Sequence, residues 1–293
     1  MSANVLTSYD YFGTGLFYPE TIPVFTLPKL PLNISDHSFN LKNAWWLANL
    51  SHLAYHNKEQ IKSTLSATGF NLIKTIQVEQ TFCYLARSQS LVILAFRGTQ
   101  FKNKVDAKTD LNFPLTVYQK NTKVHRGFLN AIDLVWPLLE PILKTLKNQS
   151  CQFWFTGHSL GAALATLAAA RFNPQASYLF GSPRLVDKYF MQLHKSLNIY
   201  RVVNCCDLVC TLPPSTFGFT HIGNEHFICS HFDIYKNIKN SKILKLKWKA
   251  SLEYTLMLPV FRKNHVWFRS LVDHSIINYN IALWNCIKKQ KAY

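Results

Sequence analysis

Along this chain the apolar positions change period from one segment to the next, and the changes predict helices alternating with strands. Within 41–56, Ala44, Leu47, Ala48, Leu50 and Leu53 recur at helical spacing. A second helix is expected over 58–67, ending before Gly69. Segments 72–78, 81–86 and 90–96 then read as consecutive strands. A long helical pattern covers 127–147, where Pro137 and Pro141 should bend or interrupt it. An aromatic strand beginning at Phe153 runs directly into an Ala/Leu-rich helix. It is followed by a strand at 176–180, a short helix near 186–193 and a strand at 198–203. Such alternation implies an α/β fold with a mostly parallel sheet covered by helices on both faces. Residues 1–40 form an irregular lead-in punctuated by Pro19, Pro23, Pro28 and Pro31, and no linker or repeat divides the chain. The expectation is a single domain over 1–293.

The junction of the aromatic strand and its helix reads Gly157-His158-Ser159-Leu160-Gly161. A serine hydroxyl becomes an effective nucleophile when a sharp strand-to-helix turn holds it away from the backbone. Such a turn crowds its neighbours until glycine alone fits on either side. The helix that begins there also points unpaired N–H groups towards the place where an oxyanion would form.

Composition narrows the options. The chain has 293 residues, 48% of them hydrophobic and 14% aromatic, enough for one large core. Its seven cysteines are scattered and form no C-x-x-C pair, which indicates neither a disulfide framework nor a zinc site. The first residues combine no basic n-region with an apolar run, arguing against a Sec-type signal peptide. No stretch is long and apolar enough to span a bilayer, so a cytoplasmic protein, or one exported by a non-Sec route, is expected. The net charge is +17. No nucleic-acid recognition module accompanies it, so no nucleic acid partner is expected. A basic surface kept for solubility and attraction to anionic lipid both fit the charge.

A serine nucleophile needs a histidine base and an acid to orient it. After Ser159 the acids are Asp187, Asp207, Glu225, Asp233, Glu253 and Asp273; the histidines are His194, His221, His226, His231, His265 and His274. Asp207 follows an apolar strand, at the carboxyl end where sites in parallel sheets collect. A turn or helix-capping role is its plainer alternative. His274 precedes a final helical pattern from which it could reach the serine, and spacing alone leaves it open against the other five.

Several segments, in order, resemble motifs of the class 3 (fungal-type) lipases and their plant phospholipase relatives. They are Ala95-Phe96-Arg97-Gly98-Thr99, Val124-His125-Arg126-Gly127-Phe128, the Gly157–Gly161 elbow, Phe180-Gly181-Ser182-Pro183-Arg184, the stretch from Val202 to Pro214, Thr220-His221-Ile222-Gly223, and Asp273-His274-Ser275 through Tyr279. The resemblance implies an α/β-hydrolase fold with Ser159 as nucleophile, Asp207 as orienting acid and His274 as base. It further implies an oxyanion hole from the N–H groups of Leu160 and Thr99. It implies hydrolysis of a lipid ester through an acyl-enzyme, with no cofactor and no metal. His158, Arg97 and Arg184 are taken as structural. The other class weighed is a lipid- or membrane-binding protein that keeps the fold without turnover.

Three departures from the family pattern matter. Leu185-Val186-Asp187 stands where Val-Gly-Asn is expected, which reads as a local packing change. The segment 100–112, where fungal lipases carry an apolar lid, is mostly polar, so little interfacial activation and a preference for phospholipid or monoester substrates are expected. Residues 236–263 form an insert with eight basic residues (Lys236, Lys239, Lys242, Lys245, Lys247, Lys249, Arg262 and Lys263) interleaved with aliphatic and aromatic ones. That composition suits peripheral contact with an anionic membrane surface, and it equally suits a core face backed by solvated lysines.

Overall fold

Three short antiparallel strands begin the sheet: β1 (Asn71–Val78), β2 (Thr81–Ser88) and β3 (Leu91–Phe96). β4 (Leu115–Val117) and β5 (Lys123–His125) leave it to form a separate two-stranded ribbon. β6 (Gln152–His158) then pairs parallel with β3, and β7 (Ala176–Phe180), β8 (Ile199–Asn204) and β9 (Asn224–Ile228) follow in parallel. β10 (Ile234–Lys236) closes the far edge antiparallel to β9, completing an eight-stranded sheet in the order β1-β2-β3-β6-β7-β8-β9-β10. The structure, a computed structural model, describes residues 32–34, 38–98, 114–256 and 269–291. Most of the proline-rich lead-in, Thr99, segment 100–112 and the end of the basic insert at 257–263 lie outside the described residues.

Both faces of the sheet are covered, as side-chain alternation along β6 shows. Trp154 packs into a core with α1 (Leu41–Leu53) and the C-terminal helix α8 (Ile276–Lys291), numbered last in chain order. Its neighbours Phe153 and Phe155 point the other way, into a core with α3 (Arg126–Lys147) and α4 (Leu160–Phe172). Strands buried on both faces are near-continuously apolar, which is why β3 and the Phe153–Phe155 part of β6 read as hydrophobic runs. This layered, mostly parallel arrangement is the α/β-hydrolase fold.

The described residues contain three further helices beside the sheet, α5 (Lys188–Leu193), α6 (Asn240–Leu256) and α7 (Arg269–Val272), and one, α2 (Lys58–Ala67), before it. The last is held by a reciprocal cap between Asn57 and Gln60.

One expectation needs correction. α3 is not interrupted by its prolines; it continues through Pro137 and Pro141. Both prolines are exposed, so the carbonyls they leave unpaired can be hydrated. The opposite stripe of Phe128, Ile132, Val135, Leu139, Leu143 and Leu146 is buried against the sheet and α4. That apolar burial, at about 25 cal/mol per Å2, offsets two lost backbone bonds.

Candidate active site

The turn from β6 into α4 forces Ser159 to φ +59°, ψ −128°, a conformation that L residues rarely adopt. Its N–H is held by the carbonyl of Phe180 on the neighbouring strand at 2.9 Å. The flanking glycines follow from packing. A Cβ on Gly157 would run into the Gly161 backbone, and one on Gly161 would run into the carbonyl of Phe96. Strand, nucleophile turn and helix are thus interlocked through backbone atoms, so side chains at either glycine are excluded.

Three elements meet at the serine. Asp207 lies beyond the carboxyl end of β8, and His274 lies in the turn between α7 and α8. His274 Nε2 is 2.9 Å from Ser159 Oγ, and its Nδ1 is 3.0 Å from both carboxylate oxygens of Asp207. The carboxylate also accepts from the Val209 N–H at 2.8 Å and from the Tyr279 hydroxyl at 2.6 Å. Burial by itself would raise the pKa of Asp207. The charge and hydrogen bond of His274, then the Tyr279 hydroxyl, outweigh it and hold the group at about 2. An ionised carboxylate only accepts, so the proton of neutral His274 sits on Nδ1. The Nε2 lone pair therefore faces the serine hydroxyl.

Of the remaining acids after Ser159, each has another engagement. Asp187 caps α5 through the Phe190 N–H, and Glu225 pairs with Arg201. Asp233 pairs with Lys289, Glu253 with His231, and Asp273 with Arg269. The Asp187 cap and the Val186 bridges to Val124 and Thr220 show what Leu185-Val186-Asp187 does here: it packs and starts a helix. His221 bonds the Cys210 carbonyl, His226 stacks on Phe39 and His194 packs on Phe190. His265 lies outside the described residues.

Leu160 is the first residue of α4, and its N–H belongs to the helical turn that has no intrahelical acceptor. Thr99, expected to be the second donor, lies outside the described residues. Its neighbour Gly98 is pressed close to the site: a Cβ there would meet the Tyr55 hydroxyl, the His158 carbonyl and, at 3.3 Å, Ser159 Cβ.

Sequence reasoning missed the supporting groups. Tyr279, five residues after His274, reaches Asp207 from the next turn of chain, and its oxygen also accepts the Asn204 N–H. Tyr55 on the α1 side bonds His158. A signal for Tyr279 existed in its place on the buried face of the last apolar pattern, because a buried tyrosine hydroxyl needs a partner. Among the described residues, Cys205, Cys206 and Asp273 form one group of potential metal ligands. Arg269 Nε, 3.2 Å from Asp273 Oδ2, supplies positive charge there.

Comparison with known proteins finds lipases and their relatives. The family model "Lipase (class 3)" matches residues 93–217. A lipase of Rhizopus niveus is 34% identical over 174 residues, covering 53% of this chain and 44% of the relative. Phospholipase A1-II 3 of Oryza sativa subsp. indica is 31% identical over 175 residues, covering 46% of this chain and 41% of the relative. The chain thus spans less than half the length of these curated relatives. Among solved structures, the Rhizomucor miehei lipase propeptide complex superposes with a TM-score of 0.58 at 29% identity, covering 64% of this chain and 68% of that one. Fold and structural likeness together define an α/β-hydrolase scaffold. Residues 93–217 match the class 3 lipase model, and the chain is similar to fungal lipases and a plant phospholipase A1.

Proposed function

We propose that this protein is a serine-dependent carboxylic-ester hydrolase acting on lipids through an acyl-enzyme. The observation that supports the reading most strongly is the contact series Ser159 Oγ to His274 Nε2 at 2.9 Å and His274 Nδ1 to Asp207 at 3.0 Å. In this reading Ser159 Oγ attacks the ester carbonyl carbon while His274 Nε2 takes the hydroxyl proton. Asp207 stabilises the resulting imidazolium. The oxyanion is met by the N–H of Leu160, with Thr99 as the second donor; each such donor is worth about 3 kcal/mol of barrier. The proton passes to the leaving alkoxide, which departs as the alcohol. Water, activated by the same Nε2, then releases the fatty acid and restores Ser159.

A cavity of about 360 Å3 is lined by Leu160, next to the nucleophile, with Leu164 and Phe128 and with the polar Glu79, Arg97 and Asn130. Its partly apolar lining suits an acyl chain. The relatives named a lipase and a phospholipase A1 frame the substrate range, and the polar segment 100–112 favours phospholipid or monoester over emulsified triacylglycerol. Contact with an anionic membrane surface through the basic insert 236–263 belongs to the same reading. Purified protein incubated with mixed lipid classes, with products identified by mass, tests it. Free fatty acid with lysophospholipid or glycerol is expected. Binding of lipid with no released acid would instead favour a non-catalytic lipid-binding protein.

A further inference from the structure

α6 is a helix with two apolar faces, and a helix needs one to fold. Ile243, Leu246 and the buried Ala250 face inwards, where Ile243 and Leu246 pack on the small core of Val203, Cys210, Phe227 and Cys229. Leu244, Trp248, Leu252 and Leu256 recur every four residues on the outer side and are 67%, 70%, 44% and 74% exposed. Residues four apart lie along one side of a helix, so these form a single row about 18 Å long. Lys245 and Lys249 are exposed beside that row, and Lys242, exposed at the start of the helix, sets its Nζ over the Tyr235 ring. The sole acid of the helix, Glu253, is engaged by His231 and Ser230.

We infer that the outer face of α6, the row Leu244–Trp248–Leu252–Leu256 with Lys242, Lys245 and Lys249, docks this protein in the plane of an anionic phospholipid bilayer. The choice of a lipid surface rests on the lipid-ester reading above. The physical case rests on the helix itself. Apolar side chains exposed in a row cost solvation free energy unless something covers them. The charge around the row is all positive, complementary to anionic headgroups, and lysine stems let apolar residues sink while their ammonium groups stay at headgroup level. Tryptophan favours that same boundary. The placement is useful as well. Cys206, the residue before Asp207, contacts the Lys247 carbonyl and Ser251 of α6, and Arg269 donates to the Ala250 carbonyl. A bilayer against the outer face would therefore lie one helix away from the turn that carries Asp207.

The test is co-sedimentation of the full chain with vesicles of phosphatidylcholine, with and without phosphatidylglycerol. Two triple variants are compared with wild type: Leu244→Ser/Trp248→Ser/Leu252→Ser, and Lys242→Glu/Lys245→Glu/Lys249→Glu. Wild type should bind the anionic vesicles. The lysine variant should bind them about a hundredfold more weakly, as loss of three interfacial cations implies, and the apolar variant should bind both vesicle types more weakly. Both variants should keep wild-type thermal stability and turnover of a soluble short-chain ester. Wild-type-like vesicle binding by both variants would overturn the inference, as would a concentration-dependent dimer that the apolar variant dissolves without changing vesicle binding. Soluble-ester turnover reports separately on the hydrolase reading: its absence in wild type would overturn that reading and would not alter the vesicle comparison.

Discussion

The imidazole of His158 donates from Nε2 to the backbone carbonyl of His274 at 2.7 Å, tying the residue before the candidate nucleophile to the candidate base. A carbonyl only accepts, so Nδ1 of the same ring is the acceptor for the Tyr55 hydroxyl at 2.9 Å. Burial, reinforced by the nearby His274, lowers the His158 pKa to about 3 and keeps the ring neutral. His158, taken from sequence as structural, thus fixes where the His274 main chain sits. His158→Ala should lower kcat on a soluble ester by about 10- to 100-fold with KM nearly unchanged, because a buried carbonyl loses its donor at about 1–3 kcal/mol. Steady-state kinetics checks this, with His158→Gln expected to recover part of the loss. An unaltered kcat would refute the positioning role.

Tyr279 supplies a hydroxyl to Asp207 Oδ2 at 2.6 Å and is one of the groups that keep that carboxylate ionised. In Tyr279→Phe the Asp207 pKa should rise. The folded Asp207 pKa is depressed, so its contribution to stability is present above the unfolded value and is lost as pH falls through about 2 in the wild type. Removing the hydroxyl moves that loss to higher pH, and activity should fall several-fold at neutral pH. The acid limb of the pH–rate profile, measured beside wild type, should shift upwards.

Two buried histidines make the fold sensitive to mild acid. Burial first, then the neighbouring histidine (His56 for His52, His274 for His158), lowers both pKa values from 6.5 to about 3. As pH drops below about 6.5 the unfolded chain takes up these protons and the folded chain does not. Stability is therefore full above that point and declines towards pH 3, by up to about 1.4 kcal/mol per pH unit for each histidine. Urea unfolding at several pH values measures the slope, and His52→Gln should make it shallower. A flat profile between pH 7 and 5 would be inconsistent with the structure, whatever the activity.

Gly161 tolerates no side chain. A Cβ there would lie 2.8 Å from the Arg97 carbonyl carbon and 2.9 Å from the Gly98 nitrogen, besides striking the Phe96 carbonyl. These are backbone atoms of β3 and its end, and they cannot swing aside. Gly161→Ala should cost more than about 2 kcal/mol of stability and most of the activity, read by thermal unfolding together with ester turnover.

Much of this arrangement was legible in the sequence, for physical reasons. The doubly buried strands β3, β6, β7 and β8 wrote themselves as apolar runs, and the glycines around Ser159 exposed the sharp turn. Asp207 was legible from its place after β8, while His274 needed the family motifs because six histidines share the downstream chain. β9 and the edge strand β10 were missed, since they are short and mix polar with apolar residues, Asn224 and Glu225 among them. α3 was underestimated because a local rule about proline ignored that both prolines face water. The two sides of α6 were not legible because its inner and outer apolar residues, read along the chain, merge into one pattern. Tyr279 and His158 act through hydrogen bonds made across the fold, and such partners have no local signature.

In the proposed reaction Ser159, activated by His274 and Asp207, is the nucleophile. The most direct test is the turnover of a soluble p-nitrophenyl ester by folded Ser159→Ala beside wild type. A drop of about 10^4-fold or more is expected, to the residual rate that oxyanion donors and binding alone sustain. Hydrolysis by Ser159→Ala at the wild-type rate would contradict that role.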